Sequence, residues 1–201
     1  MHLKQYPVQF EIAGFAGMFT RPDSGASPIS YPAPTRSALK AIFESVVFSK
    51  QAYFQPRKVE ICNPIIYHKY TTNYRGPQRK SGTSTFQLFA TVLSDVCYKV
   101  YGDVLSYTSP RHLDNPQHQL QEVFTRRLAK GEFYTTPSLG WKEFVPYYFG
   151  PLRDETVADT SIYLEIPSML DGMYDRATYG SVSPQYLKQL EIVAGVLVYD
   201  Q

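Results

Sequence analysis

The sequence predicts an α+β fold of ferredoxin-like type, in which one strand–helix–strand unit follows another. Two amphipathic helices with clear end signals, near 35–47 and 115–131, are each flanked by alternating or β-rich segments. The chain of 201 residues is 43% hydrophobic and 19% charged, which suits one ordered core.

Residues 8–13 alternate apolar and polar and read as a half-buried strand. Gly14 and Gly17 are then expected to permit a sharp change of direction. Residues 20–34, with Pro22, Gly25, Pro28, Pro32 and Pro34, read as loop. Thr35 or Ser37 caps the first helix. Leu39, Ile42, Phe43, Val46 and Val47 fall on its buried face, and Arg36, Lys40 and Glu44 form a polar stripe. Residues 59–62 are a second strand closed by Asn63-Pro64. Residues 67–84 are polar, basic and Tyr-containing around Gly76-Pro77, and read as a protruding hairpin or a flexible loop. Further strand lies within 86–106. Asn115 as N-cap, Pro116 at the first helical position and Gly131 as C-cap punctuate the second helix. Leu120, Val123, Phe124 and Leu128 are its apolar stripe, and Arg126, Arg127 and Lys130 stand in its last turn. Short strands follow near 143–149, 161–166 and 192–199. Residues 1–152 are expected to form the main domain, with 153–201 as a small C-terminal β extension packed on it. RNA-recognition domains share this architecture.

The net charge of +2 conceals an asymmetry. Residues 1–152 carry 17 Lys/Arg against 10 Asp/Glu, and residues 153–201 carry 3 against 8. Residues 61–94 hold four Lys/Arg, one His and no acid. A basic body with an acid-free stretch points to a polyanion. The acidic end suits a face turned away from it, or towards a protein. The 17 Tyr and 12 Phe residues offer rings that stack on unpaired bases or fill the core and its rim.

Several chemistries have no carrier here. The sequence contains no Gly-rich phosphate loop, His-Glu-x-x-His, CxxC or Gly-x-Ser-x-Gly elbow. His2, His68, His112 and His118 lack metal-ligand spacing, so no metal, cofactor or small-molecule substrate is expected. Cys62 and Cys97 stand in apolar contexts and read as buried thiols in a reducing compartment. No apolar run approaches the roughly 18 residues of a membrane helix, and the first residues lack a signal peptide's apolar stretch. The expected location is the cytoplasm.

Two constellations remain. In the first, Tyr67, His68, Lys69, Tyr70, Asn73, Tyr74 and Arg75, followed by Arg79 and Lys80, mix cations that hold phosphates with rings that stack on bases. The competing reading is a solvated loop with ordinary tyrosines. The second is the start of the second helix, with Gln117 and His118. Free N–H groups and the helix dipole favour an anion there. His118 can donate to a phosphate or act as general acid or base; the plainer reading leaves it facing solvent while Asn115 caps the helix.

Phe19-Thr20-Arg21-Pro22-Asp23, followed by Ile29-Ser30-Tyr31-Pro32-Ala33-Pro34-Thr35-Arg36-Ser37-Ala38, resembles the N-terminal signature of the Cas-five family, subtype I-C branch. Ala41-Ile42-Phe43-Glu44-Ser45 is similar as well. So, in consistent order, are Asn63-Pro64-Ile65, Asn73-Tyr74-Arg75, Asp95-Val96-Cys97-Tyr98, Asp114-Asn115-Pro116, Arg126-Arg127 with Gly131, Leu139-Gly140-Trp141-Lys142-Glu143-Phe144 and Gly195-Val196-Leu197. The resemblance covers nearly the whole chain. It implies an RNA-recognition-like domain with a thumb-like hairpin, one copy at the foot of a Cascade-type complex, gripping the crRNA 5′ handle. The implied neighbours are a Cas-seven backbone subunit and a Cas-eight large subunit. On all these grounds the residues expected to contact RNA are Arg21, Lys40, Lys69, Tyr70, Asn73, Tyr74, Arg75, Arg79, Lys80, Gln117, His118, Arg126, Arg127, Trp141 and Lys142.

In that branch the resemblance also implies metal-independent cleavage of precursor crRNA, by a Tyr at the end of the first helix and a Lys-His pair before the second. Here the Tyr position falls on Val47, beside Phe48, and the pair is reduced to His118, followed by Gln119. A Val neither donates nor accepts a proton. The expected function is therefore handle binding without cleavage, with another nuclease supplying mature crRNA. Two alternatives stay open: a processing endoribonuclease with His118 as acid or base, and an unrelated protein-interaction module of ferredoxin-like fold.

Overall fold

The computed structural model describes residues 5–74, 86–107, 115–174 and 182–199, with the backbone alone for 72–74, 86 and 174. Helix α1 (Arg36–Val46) starts where Thr35, still extended, accepts the Ala38 N–H on its side chain, and it ends at extended Val47. Helix α2 (Pro116–Lys130) starts where the Asn115 side chain accepts the His118 N–H, and it stops at Gly131, left-handed with φ 67°. Leu39, Ile42, Phe43 and Val46 of α1 and Leu120, Phe124 and Leu128 of α2 are buried in one core; Val123 is half-buried against it.

The strands are β1 (Pro7–Gly17), β2 (Ala52–Ile61), β3 (Ile66–Tyr74), β4 (Phe86–Ser106), β5 (Tyr148–Gly150), β6 (Leu164–Tyr174), β7 (Val182–Val193) and β8 (Val196–Val198). They form one sheet in the order β5-β1-β4-β2-β8-β7-β6, with β3 paired to the first part of β4. All the strand pairs are antiparallel. With two helices on the sheet, the described chain is an α+β protein. Rings join the layers: Phe43 stacks on Phe54 at 4.8 Å and on Phe124 at 4.2 Å, and Phe10 tilts against both of those.

Some expectations are corrected. The chain does not turn at Gly14, since β1 runs on to Gly17. That glycine serves close packing instead: a Cβ there would lie 2.3 Å from the Leu139 side chain. Strand β2 begins at Ala52 rather than Val59. Pro56 hides it, and a register shift against β4 between Pro56 and Lys58 accommodates a residue with no N–H to donate. The strand expected near 143–149 shrinks to β5. At the C-terminal end β6 and β7 form a long hairpin, and β8 returns along β2 after a turn in which Ala194 and Gly195 both have positive φ. Cys97 is buried but Cys62 is only half-buried, and both are free thiols.

The sheet face opposite the helices is not open at its centre. Glu11 of β1 points there and is fully buried. Its carboxylate accepts the Arg153 N–H at 2.8 Å, the Arg153 guanidinium at 2.5 Å and the Thr156 hydroxyl at 2.9 Å. The Lys99 ammonium of β4 donates to the Arg153 and Thr156 carbonyls. Farther on, the Asp159 N–H donates to the Ile61 carbonyl at the end of β2. The segment 151–162 thus crosses β1, β4 and β2. Burial alone would push the Glu11 carboxyl up, but Arg153 and Thr156 together outweigh it and hold the group below its ordinary range. Among the described residues no helix is long and apolar enough to cross a membrane, and no group of three or more His, Cys, Asp or Glu could hold a metal ion.

Candidate nucleic-acid interface

The described part of the acid-free stretch holds β3 and the start of β4. Their register runs from Ile66 opposite Ser94 to Tyr74 opposite Phe86. Strand β1 joins β4 only from Leu93 onward, so the outer part of the pair reaches past the body of the sheet. Tyr67, His68, Lys69 and Thr71 are exposed and Tyr70 is half-buried. Asn73 and Tyr74 take part through their backbone, opposite Gln87 and Phe86. Arg75, Arg79 and Lys80 lie outside the described residues.

At the foot of this pair, residues far apart in sequence converge. The Tyr70 ring meets Phe144 edge-on at 5.7 Å, and Phe144 lies parallel to Trp141 at 6.0 Å. The Trp141 indole N–H donates to the Thr20 hydroxyl at 3.1 Å. Next in the chain, Arg21 sits 6.0 Å from the centre of the Tyr31 ring. Its guanidinium forks onto Asp23 at 2.7 and 3.1 Å, so a phosphate at Arg21 competes with that carboxylate. Lys142, following Trp141, is exposed. Tyr70, Phe144, Trp141 and Thr20 are joined by these contacts; Arg21, Lys69 and Lys142 are their neighbours in the chain, and Lys69, consecutive with Tyr70 in β3, points to the other face of the strand pair.

The other expected residues lie elsewhere. The Lys40 ammonium stands over the rings of Tyr53 at 5.1 Å and Tyr107 at 6.0 Å, which pack on one another at 4.4 Å. At the start of α2, Gln117 is half-buried, and the His118 Nε2 lies 3.3 Å from a Glu122 oxygen. The His118 ring is 6.2 Å from that of Tyr6, whose hydroxyl accepts from the Asn115 side chain at 2.5 Å. Near the other end of α2, Arg126 is exposed, whereas Arg127 donates to the Val46 carbonyl at 2.8 Å and thereby closes the end of α1. Val47 is buried there, with Phe48 exposed beside it. Arg127 stands nine positions after His118, about 13 Å farther along the axis of α2, and it is the Arg127 side chain that reaches the Val46 carbonyl beside Val47.

Sequence reasoning missed Thr20, Tyr31, Tyr53, Tyr107 and Phe144 as parts of these clusters, and Tyr6 and Glu122 as neighbours of His118. Some of these partners are remote in the chain: Thr20 and Trp141 are separated by 121 positions, Tyr6 and Asn115 by 109. Glu122, in contrast, stands one helical turn from His118, and the i, i+4 spacing on α2 could have found it. The high tyrosine content named no position, whereas Thr20, Tyr31 and Phe144 stand inside the segments that carry the family resemblance.

No family model matches the chain. The chain is 29% identical over 170 residues, 81% of its length and 71% of the relative's, to the CRISPR pre-crRNA endoribonuclease Cas5d of Thermus thermophilus. It is 26% identical over 166 residues, 73% of each chain, to the protein of the same name from Mannheimia succiniciproducens. Among solved structures, a CRISPR-associated protein superposes with a TM-score of 0.75 at 17% identity, covering 100% of this chain and 95% of the other; that is a likeness of fold.

Proposed function

Since the chain belongs to the Cas5 family, we propose that it binds the 5′ handle of a crRNA as a structural subunit of a CRISPR surveillance complex and does not itself cut the precursor. The observation that carries the reading is the convergence of Tyr70, Phe144, Trp141 and Thr20 at the foot of the acid-free β3–β4 pair, with Arg21 next to Thr20 in the chain. Clustered rings with exposed Lys69 and Lys142 next to them in the chain suit unpaired bases on a phosphate backbone. In this reading β1-α1-β2 and β4-α2-β5, with strands in the order β5-β1-β4-β2, are the split βαβ of an RNA-recognition-like domain. The β3–β4 pair is its thumb, and 153–201 is a C-terminal extension of it. The neighbours are a Cas-seven-type backbone subunit and a Cas-eight-type large subunit, and the setting is the cytoplasm. The covered sheet face supports RNA docking at the hairpin's foot rather than on the open strands, because the segment 151–162 stands over Glu11 and Lys99.

Titrating repeat RNA into the purified chain at several salt concentrations tests the proposal. The expected outcome is tight binding that weakens steeply with salt. A chain that neither binds repeat RNA nor co-purifies with nuclease-protected small RNA is a protein-interaction module instead.

The second reading, a pre-crRNA endoribonuclease, is favoured by the names of both relatives and by the contact of His118 with Glu122. Incubating repeat RNA with the chain in EDTA separates the two readings: a site-specific cut that depends on the RNA 2′-hydroxyl selects the enzyme.

A further inference from the structure

A cleft of about 490 Å³ opens between the outer face of α1 and the segment 135–142. Its second wall is fixed at both ends. At one end the N–H groups of Tyr134 and Thr135 donate to the Ser45 carbonyl at 2.8 and 3.0 Å. At the other, Leu139 accepts from the Met18 N–H and donates to the Phe144 carbonyl, each at 2.8 Å. Gly140 follows with φ +91°, where a Cβ would lie 1.8 Å from the Met18 carbonyl oxygen. Only glycine passes there without displacing the loop. The cleft is built into the fold, and a ligand entering it need not order the segment first.

Its size falls in the range of small-ligand clefts, about 300–1,000 Å³. Ala38 and Ala41 let a flat ring approach the helix closely. Thr135, Thr136 and Ser138 present hydroxyls that donate or accept. Among the described lining residues Lys142 brings one positive charge, and no carboxylate is present. Aromatic rings adjoin the segment on both sides: Tyr134, 79% exposed, precedes it, and Trp141, half-buried on Phe144, lies within its far end.

The geometry points to a single-nucleotide subsite: one unpaired base of the bound RNA enters this cleft, with hydroxyls at its edge and Lys142 on its phosphate. The neighbouring bases lie on Tyr134 and Trp141. The inference rests on the RNA-binding reading above and extends the RNA path from the hairpin's foot, past Trp141, to the outer face of α1.

The test uses repeat RNA carrying 4-thiouridine at one position at a time, bound to the purified chain and irradiated. One position is expected to cross-link to the peptide spanning 131–142. Ala41→Trp, which fills the cleft from an exposed helix position, should abolish that cross-link and weaken binding about tenfold, the worth of roughly one stacked base. Lys142→Ala should weaken binding and lower the salt slope by about 0.7, the value of one single-strand phosphate neutralised; it carries the test alone if Ala41→Trp does not fold. Wild-type affinity, salt slope and cross-links in the folded variants overturn the subsite and leave RNA binding standing. A wild-type chain that binds no repeat RNA overturns both.

Discussion

Phe43 is the side chain through which α1 reaches both β2 and α2, since its ring is stacked between Phe54 and Phe124 and is 1% exposed. Removing it forfeits the transfer energy of a phenyl ring and leaves a void between two rings that belong to different elements and close poorly. Phe43→Ala should cost about 3–5 kcal/mol, measured by urea unfolding, with Phe43→Leu well below that. Glu11 makes a different residue-scale case. Its ion pair with Arg153 is buried on the carboxylate side, and neutralising the carboxylate leaves Arg153 short of its counter-ion. Glu11→Gln should cost about 3 kcal/mol at neutral pH. Because the folded-state pKa lies below the ordinary value of 4.5, the carboxylate's contribution is complete above about pH 4.5 and is lost as pH falls through the folded value. Stability curves between pH 7 and 3 should therefore converge for wild type and Glu11→Gln on the acid side. Parallel curves would mean that the lowered pKa of Glu11 contributes nothing to folding.

At the scale of elements, the helices were legible because their signals are local. Thr35, Asn115, Pro116 and Gly131 act within a few residues of themselves, and the structure places each in its capping role. Strand β2 was half hidden because its pairing with β4 overrides Pro56 and the polar Gln55, Arg57 and Lys58. The site was legible only as a pool of residues. Acid-free composition marked β3 and the start of β4, but what brings Trp141 to Thr20 is the path of the chain around β1, and no spacing rule encodes that. Arg127 shows the converse: in sequence it looked like a free phosphate ligand, whereas its guanidinium serves the end of α1. The β3–β4 pair yields its own prediction. Lys69 is exposed on β3, and Arg75, Arg79 and Lys80 follow it in the chain. Replacing all four with Ala should weaken repeat-RNA binding and flatten its salt dependence by up to about 0.7 for each phosphate no longer neutralised. Unchanged affinity and slope in a filter-binding series would retire the β3–β4 segment as the gripping element.

At the scale of the whole molecule the question is whether acid, base and cation meet in one place. RNA cleavage without metal needs a base for the 2′-hydroxyl, an acid for the leaving 5′ oxygen and a cation for the phosphate. His118 lies at the start of α2, engaged by Glu122 and beside Tyr6, whose hydroxyl is already held by Asn115. The position implied for a tyrosine is Val47, buried and apolar, with no proton to give or take. Arg127 there is committed to the Val46 carbonyl, and Lys142 borders the cleft on the outer face of α1. One imidazole serves one proton transfer at a time, and guanidinium groups hold their protons near neutrality. The purified chain should therefore bind repeat RNA and return it at full length after incubation in EDTA. His118→Ala should leave the length of crRNA in cells unchanged and weaken binding by no more than one anion interaction at the helix N-terminus provides. A discrete product from the wild-type chain, absent with His118→Ala, would instead make His118 and Glu122 the centre of a processing site and place the RNA's scissile phosphate at the start of α2.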